Sequence, residues 1–356
     1  MRVDQMVMSP PRRRWRLRSL AVITTAWLVL QIGGLFSPGL LDDVDSIYIE
    51  IAREMMLRHD YVTPYINGVR FFDKPPLMYW MAAGSMHIFG AHDWASRLPL
   101  ALGVLALLLA VYALGIRLFE DISPIGSPDR GGFYAALAMA TSVGPYLYTR
   151  FYIPDILLAL WMTLGVHLFL IALDCVREER SALLPSLGFG AVMALNVLTK
   201  GLIGLVFPIG FVVFYLLITK QVARLRKMHL AASIAVFLAI AAPWHVLAAI
   251  RTPAIALPKG LGLPAYGGWA WFYLYNEHIA RFLGKRIPHD YGQVPIPLFW
   301  LLSALWVMPW TAFLFPAVMA HIKDLRERAA AQRSRYEAAL SLLLWAALVL
   351  VFFTLS

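Results

Sequence analysis

The amino-acid sequence predicts an all-α polytopic membrane protein. Hydrophobic residues make up 60% of its 356 positions and charged residues 15%, against the roughly 45–50% apolar share of soluble domains. Apolar runs of spanning length follow one another, and short basic blocks separate them. A net charge of +10 distributed in this way argues against a nucleic-acid partner and fits loops beside a membrane. The single cysteine, Cys175, excludes an intrachain disulfide and reads as an inert helix-end residue.

Nine apolar segments are expected to cross: residues 19–36, 98–119, 131–149, 155–173, 183–199, 201–219, 229–250, 298–320 and 338–356. Each is near the ~20 residues that traverse a ~30 Å hydrocarbon core. The run from Ser181 to Ile218 is too long for one crossing, and "TKG", Thr199 to Gly201, divides it into two helices joined by a tight turn. Basic density is highest in "PRRRWRLR", "DCVREER", "KQVARLRK" and "HIKDLRERAAAQRSR", which the positive-inside rule places in the cytoplasm. Residues 1–18 then form a basic cytoplasmic N-terminus. The first apolar run is read as a retained anchor, because no small-residue cleavage site follows it. Two long outer loops result, 37–97 and 251–297. The chain stops at "VFFTLS", within or just past a helix, as expected of an incomplete version of a longer protein.

The first outer loop carries the unusual chemistry. Val44, Ile47, Tyr48, Ile51 and Met55 fall on one helical face, so an amphipathic helix lies along the membrane surface with Asp43 as its N-cap. Glu50 with Arg53, and Glu54 with Arg58, stand at pairing distances on its polar face. "NG" at Asn67 and Gly68 marks a turn between two short extended pieces. In "FFDKPPLMYW", Phe71 to Trp80, the two prolines forbid helix before them and pre-set the start of a short interfacial helix after them. The flanking aromatics belong at headgroup depth. Lys74 is thus held by a rigid backbone at the level of lipid phosphates.

These stretches carry a family resemblance. "EIAREM", "NGVRFFDKPPLMYW", "FGAHDWASRLP", "RFYIPDILLALW", "LTKGLIGLVFP" and "YNEHIARF" resemble, in order, motifs of the GT-C class of membrane glycosyltransferases. The similar group holds the lipid A aminoarabinose transferases and the bacterial relatives of protein O-mannosyltransferases. The resemblance implies a GT-C catalytic domain over 19–356, with 37–97 as its catalytic loop and without the soluble C-terminal domain of many relatives. It also implies a polyprenyl-phosphate-linked sugar as donor, a lipid or a protein as acceptor, inversion at the anomeric carbon, and an active site outside the cytoplasmic membrane. No nucleotide-binding glycine loop occurs, which agrees with a donor carried on a lipid.

Such a reaction needs cations for the departing phosphate and a carboxylate to take the acceptor's proton. Lys74, Arg150, Lys200 and Arg281 are the candidates for the phosphate. Asp43 is the leading base, with Asp42 and Asp45 as alternatives. Counted back from "EIAREM" without a gap, the family's acidic pair falls on Val44 and Asp45, so the alignment alone does not choose among these acids. Asp155 is placed to orient the acceptor or the cations. A divalent metal on Asp73 and His278 is a further implication of the resemblance, although one histidine and one carboxylate make a thin ligand set. The rival readings are a transporter or flippase, which would place its charges mid-span, and an inactive scaffold of the same fold.

Overall fold

The computed structural model describes residues 15–40, 45–119, 123–124, 127–258, 263–289, 294–326 and 333–355. Helix α1 (Leu17–Phe36) leads into the first loop region. There α2 (Asp45–Arg58), a hairpin of β1 (Tyr65–Ile66) and β2 (Val69–Arg70), and α3 (Leu77–Phe89) precede the long α4 (Asp93–Phe119). Next come α5 (Arg130–Thr141), α6 (Val143–Tyr148), α7 (Asp155–Arg177), α8 (Leu183–Lys200) and α9 (Ile203–Ile218). A 3-10 turn at Val222–Lys227 then leads into α10 (Leu230–Arg251). The second loop region holds β3 (Ile255–Ala256), β4 (Tyr266–Gly267) and a π-helix (Ala270–Ala280). The chain closes with α11 (Ile296–Trp306), α12 (Thr311–Arg326) and α13 (Arg333–Leu355).

All nine predicted runs are helical among the described residues, but nine crossings are not what the helix lengths support. Six helices, α1, α4, α7, α8, α10 and α13, are long and apolar enough to span. The pair α11 and α12 adds a seventh only if taken as one span bent by 100°, and α9 is shorter. The run at 131–149 breaks after Thr141, and the run at 298–320 turns at Val307–Trp310. The two breaks meet: Val143 donates its amide to the Met308 carbonyl at 2.9 Å, and Trp310 Nε1 donates to Thr141 Oγ1 at 2.9 Å. Each corner thereby supplies hydrogen-bond partners that a continuous helix would have provided internally.

The core is one helix-on-helix layer in which α4 and α7 are central. Leu100, Leu107, Tyr112, Leu157 and Leu160 pack there with α3 residues Met78, Tyr79, Ala82 and Met86. Helix α3 is therefore half embedded in the bundle, more deeply than a surface helix would be. Small residues set the closest approach. A Cβ on Gly115 or Gly132 would strike the backbone of the opposite helix, so α4 and α5 touch along their backbones,. A second core cluster joins α7, α9 and α13 through Phe169, Phe211, Tyr215 and Leu340.

Candidate functional site

The loops assigned to one side by the sequence do gather at one end of the bundle. At the hairpin, Asn67 and Gly68 have φ of 51° and 77°, the pair of positive values that a two-residue turn needs to match strand twist. Phe71 then donates its amide to the Pro64 carbonyl at 2.9 Å. The chain passes through Asp73 and Lys74 and is stiffened by Pro75 and Pro76, whose rings fix φ. Helix α3 begins at once, with the Trp80 amide bonded to Pro76.

Lys74 Nζ lies 2.6 Å from Asp73 Oδ2, with side chains only 12% and 15% exposed. Burial pulls the Lys74 ammonium below its ordinary pKa, against the attraction of Asp73. Burial alone would raise the Asp73 carboxyl; the Lys74 charge and hydrogen bond, with Arg281, overcome it and hold the group below its ordinary value. Arg281, directly after the π-helix, and Arg286, further along the same loop, approach Asp73 at 4.0 and 3.5 Å. Both also hold Glu277, at 3.4 and 2.9 Å. Burial, and then the neighbouring Asp73, push the Glu277 carboxyl up in spite of Arg286.

Lys200, at the end of α8, pairs with Asp155 at the start of α7 at 2.6 Å, and its charge is felt at Lys74. The TKG turn beside it requires Gly201, whose φ is +81° and whose missing Cβ leaves room for the His278 ring. Tyr48 of α2 faces the same cluster: burial, then Asp73 and Asp155, raise its phenol above the ordinary value. Four cations, Lys74, Lys200, Arg281 and Arg286, thus face three carboxylates, Asp73, Asp155 and Glu277. Such an arrangement attracts an anion.

His278 donates Nδ1–H to the Tyr273 carbonyl at 2.5 Å, and its Nε2 accepts the Leu202 amide at 2.9 Å. Burial lowers its pKa, and the nearby Lys74 and Arg281 charges act the same way, in keeping with an Nε2 that accepts a hydrogen bond. The two residues expected to hold a metal do not fit one. Both imidazole nitrogens are engaged, and Asp73 is ringed by three cations. Among the described residues no group of three His, Cys, Asp or Glu side chains is arranged around a common point.

Two other sequence candidates fall elsewhere. Arg150 reaches back to α1, where Nη2 donates to the Leu30 carbonyl at 2.5 Å and the guanidinium stacks 4.6 Å over Tyr146. It is not part of the Lys74 cluster. Asp45 is fully buried and bonded to Arg97 at 2.5 Å, while its other oxygen accepts the Tyr152 amide. With both oxygens occupied it is poorly suited to take a proton, which leaves Asp42 and Asp43, both outside the described residues. Sequence reasoning gave no role to Arg286, Glu277, Tyr48 or Arg97. Only the spatial closure of the second loop region on the first shows the former two, whereas Arg97 lies in the "SRLP" stretch already noted as a motif.

Comparison with known proteins bears on the fold that carries this cluster. The family described as dolichyl-phosphate-mannose-protein mannosyltransferase matches residues 73–246. An undecaprenyl phosphate-α-4-amino-4-deoxy-L-arabinose arabinosyl transferase of Pseudomonas fluorescens is 29% identical over 97% of this chain and 52% of its own length. One of Proteus mirabilis is 28% identical over 97% of this chain and 55% of its own. The crystal structure of ArnT from Cupriavidus metallidurans bound to undecaprenyl phosphate superimposes with a TM-score of 0.74 at 26% identity. It covers 95% of this chain and 55% of that one. The chain is similar to the lipid A aminoarabinose transferases of the GT-C class. It spans about half the length of the curated relatives it matches. With six described helices long and apolar enough to cross, it is a multi-pass membrane protein, and its clustered cations lie where those helices end in loops.

Proposed function

We propose that this chain takes part in transferring a sugar from a polyprenyl-phosphate donor to a lipid acceptor of the lipid A type at the outer face of the cytoplasmic membrane. The names of its relatives favour 4-amino-4-deoxy-L-arabinose as the sugar. The observation that carries this reading is the Lys74 cluster: four cations on rigid, half-buried backbone, in a fold shared with a protein crystallised on undecaprenyl phosphate.

The reaction follows from these groups. The acceptor hydroxyl oxygen attacks the anomeric carbon, and the bond from that carbon to the phosphate oxygen breaks. The electron pair goes to the phosphate, whose growing charge is met by Lys74, Arg281, Arg286 and Lys200. The hydroxyl proton passes to a carboxylate, for which Asp43 is the leading candidate and Asp42 the alternative. In-line displacement inverts the configuration. Asp155 keeps Lys200 turned toward the site until the phosphate competes for it.

The test uses the full chain in nanodiscs that carry lipid A as acceptor, with an undecaprenyl-phosphate sugar carrying a radiolabel. Release of undecaprenyl phosphate by wild type, and its loss in folded Asp43→Asn and Lys74→Ala variants, is the expected result. Donor turnover undiminished in both variants would refute the assignment.

A further inference from the structure

One buried polar chain, separate from the ion pairs of the Lys74 cluster, ties together four segments of the phosphate-facing end. Arg97, at the start of α4, donates from Nη1 to the Pro38 carbonyl at 2.6 Å and from Nη2 to the Gly39 carbonyl at 3.0 Å and to Asp45. Asp45 accepts the backbone amide of Tyr152. Tyr152 is completely buried and donates its hydroxyl to the Met78 carbonyl at 2.9 Å. Met78 is the second residue of α3, one helical turn from Lys74, and Asp155 opens α7 just after Tyr152.

The connection from Met78 back to Lys74 has few joints. Pro75 and Pro76 lie between them with φ fixed and no amide hydrogen, so a shift of the first turn of α3 is passed to Lys74 instead of being absorbed. Tyr152 is anchored at its amide by a buried ion pair and meets α3 at its hydroxyl. It therefore fixes the height of α3 relative to α2, α4 and the start of α7. Removing the hydroxyl orphans nothing on α3, because the Met78 carbonyl is also placed to accept the amide one turn further along the helix.

We propose that Tyr152, held by Asp45 and Arg97, is a positioning residue that sets Lys74 in register with Asp155 and Lys200 for a phosphate. This rests on the reading that Lys74 binds the donor phosphate.

The experiment measures binding of undecaprenyl phosphate to the full chain in nanodiscs for wild type, Lys74→Ala, Tyr152→Phe and the double variant. Tyr152→Phe is expected to weaken binding by on the order of 10-fold, the range of one hydrogen bond. The same change in the Lys74→Ala background is expected to do nothing further, because it acts through Lys74. Equal losses in both backgrounds, or no loss in wild type while Lys74→Ala is impaired, would overturn the positioning role and leave the phosphate reading standing. Full binding by Lys74→Ala would remove the phosphate reading and this inference with it. Asp45→Asn, which keeps an acceptor for the Tyr152 amide, serves as a second variant and is expected to show the same dependence on Lys74.

Discussion

The two ends of the helix bundle hold charges of similar number and opposite purpose. At the end away from Lys74, Asp129 accepts from Ser19 Oγ at 2.5 Å and Tyr112 Oη at 3.0 Å. Arg117 binds Asp174, and Arg177 reaches Glu337 at 2.8 Å and Gln221 Oε1 at 3.0 Å. These bonds join separate elements, pinning α1 and α4 to the start of α5, α4 to α7, and α7 to α13. At the Lys74 end one of the short ion pairs joins neighbours, Lys74 and Asp73 at 2.6 Å. A pair between consecutive residues closes no loop and holds no helices together, yet both groups bear the desolvation cost of a half-buried position. The difference marks Lys74 out: its partner is its own neighbour and can be displaced by a ligand without parting two elements, whereas Lys200, Arg281 and Arg286 at the same end also reach across elements to their carboxylates. Asp45 and Arg97 likewise bridge elements, although they lie at the functional end.

Substitutions at the two ends should therefore separate binding from stability. The largest effect is expected from Lys74→Ala, with a loss of undecaprenyl-phosphate affinity of about 100-fold, the scale of a hydrogen bond between charged groups. Its thermal midpoint should stay near wild type, since no element is tied by that side chain. Asp174→Asn should do the reverse. It leaves Arg117 without its carboxylate and is expected to cost about 1–3 kcal/mol of stability, partly buried pairs being worth less than fully buried ones. Phosphate binding by the folded fraction should be unchanged. A titration in both denaturation and binding assays checks the pair, and swapped phenotypes would erase the distinction between the ends.

Gly201→Ala should show an intermediate effect. A Cβ there is strained at φ +81° and collides with His278, at a cost of about 1–3 kcal/mol. Because the turn carries Lys200, both the melting midpoint and phosphate affinity should fall, the latter a few-fold. The smallest effect is on pH dependence. Burial places the Lys74 pKa below its ordinary value of 10.5, so its proton leaves at lower pH than from a free lysine. Phosphate affinity should accordingly decline as pH rises through that depressed value. Lys74→Arg, charged throughout, should flatten the decline in a pH series of binding isotherms.

Much of this was legible in the sequence. The predicted pairs on α2 form, Arg53 with Glu50 and Arg58 with Glu54, both at 2.6 Å. The NG turn closes a hairpin, and the PP segment opens α3 as its fixed φ requires. These features are local, and local chemistry decides them. The corner between α5 and α6 was not legible, because the group that satisfies it, the Met308 carbonyl, lies far along the chain. Arg150 joins the phosphate cations in the sequence reading as one of the basic residues of the outer face. In three dimensions its long side chain runs the other way, into the space left by Gly34. Arg286 and Glu277 join the site through folding of the second loop region, for which no periodicity or spacing gives notice.

The central claim is that the cations around Lys74 hold a lipid-linked phosphate. Its most direct test is a comparison of undecaprenyl phosphate with undecaprenol as ligands for the full chain in nanodiscs. Wild type and Asp174→Asn should prefer the phosphate by at least about 10-fold, and the preference should vanish in Lys74→Ala with Arg281→Ala. Equal binding of alcohol and phosphate by wild type, or a preference that survives removal of both cations, would contradict the account.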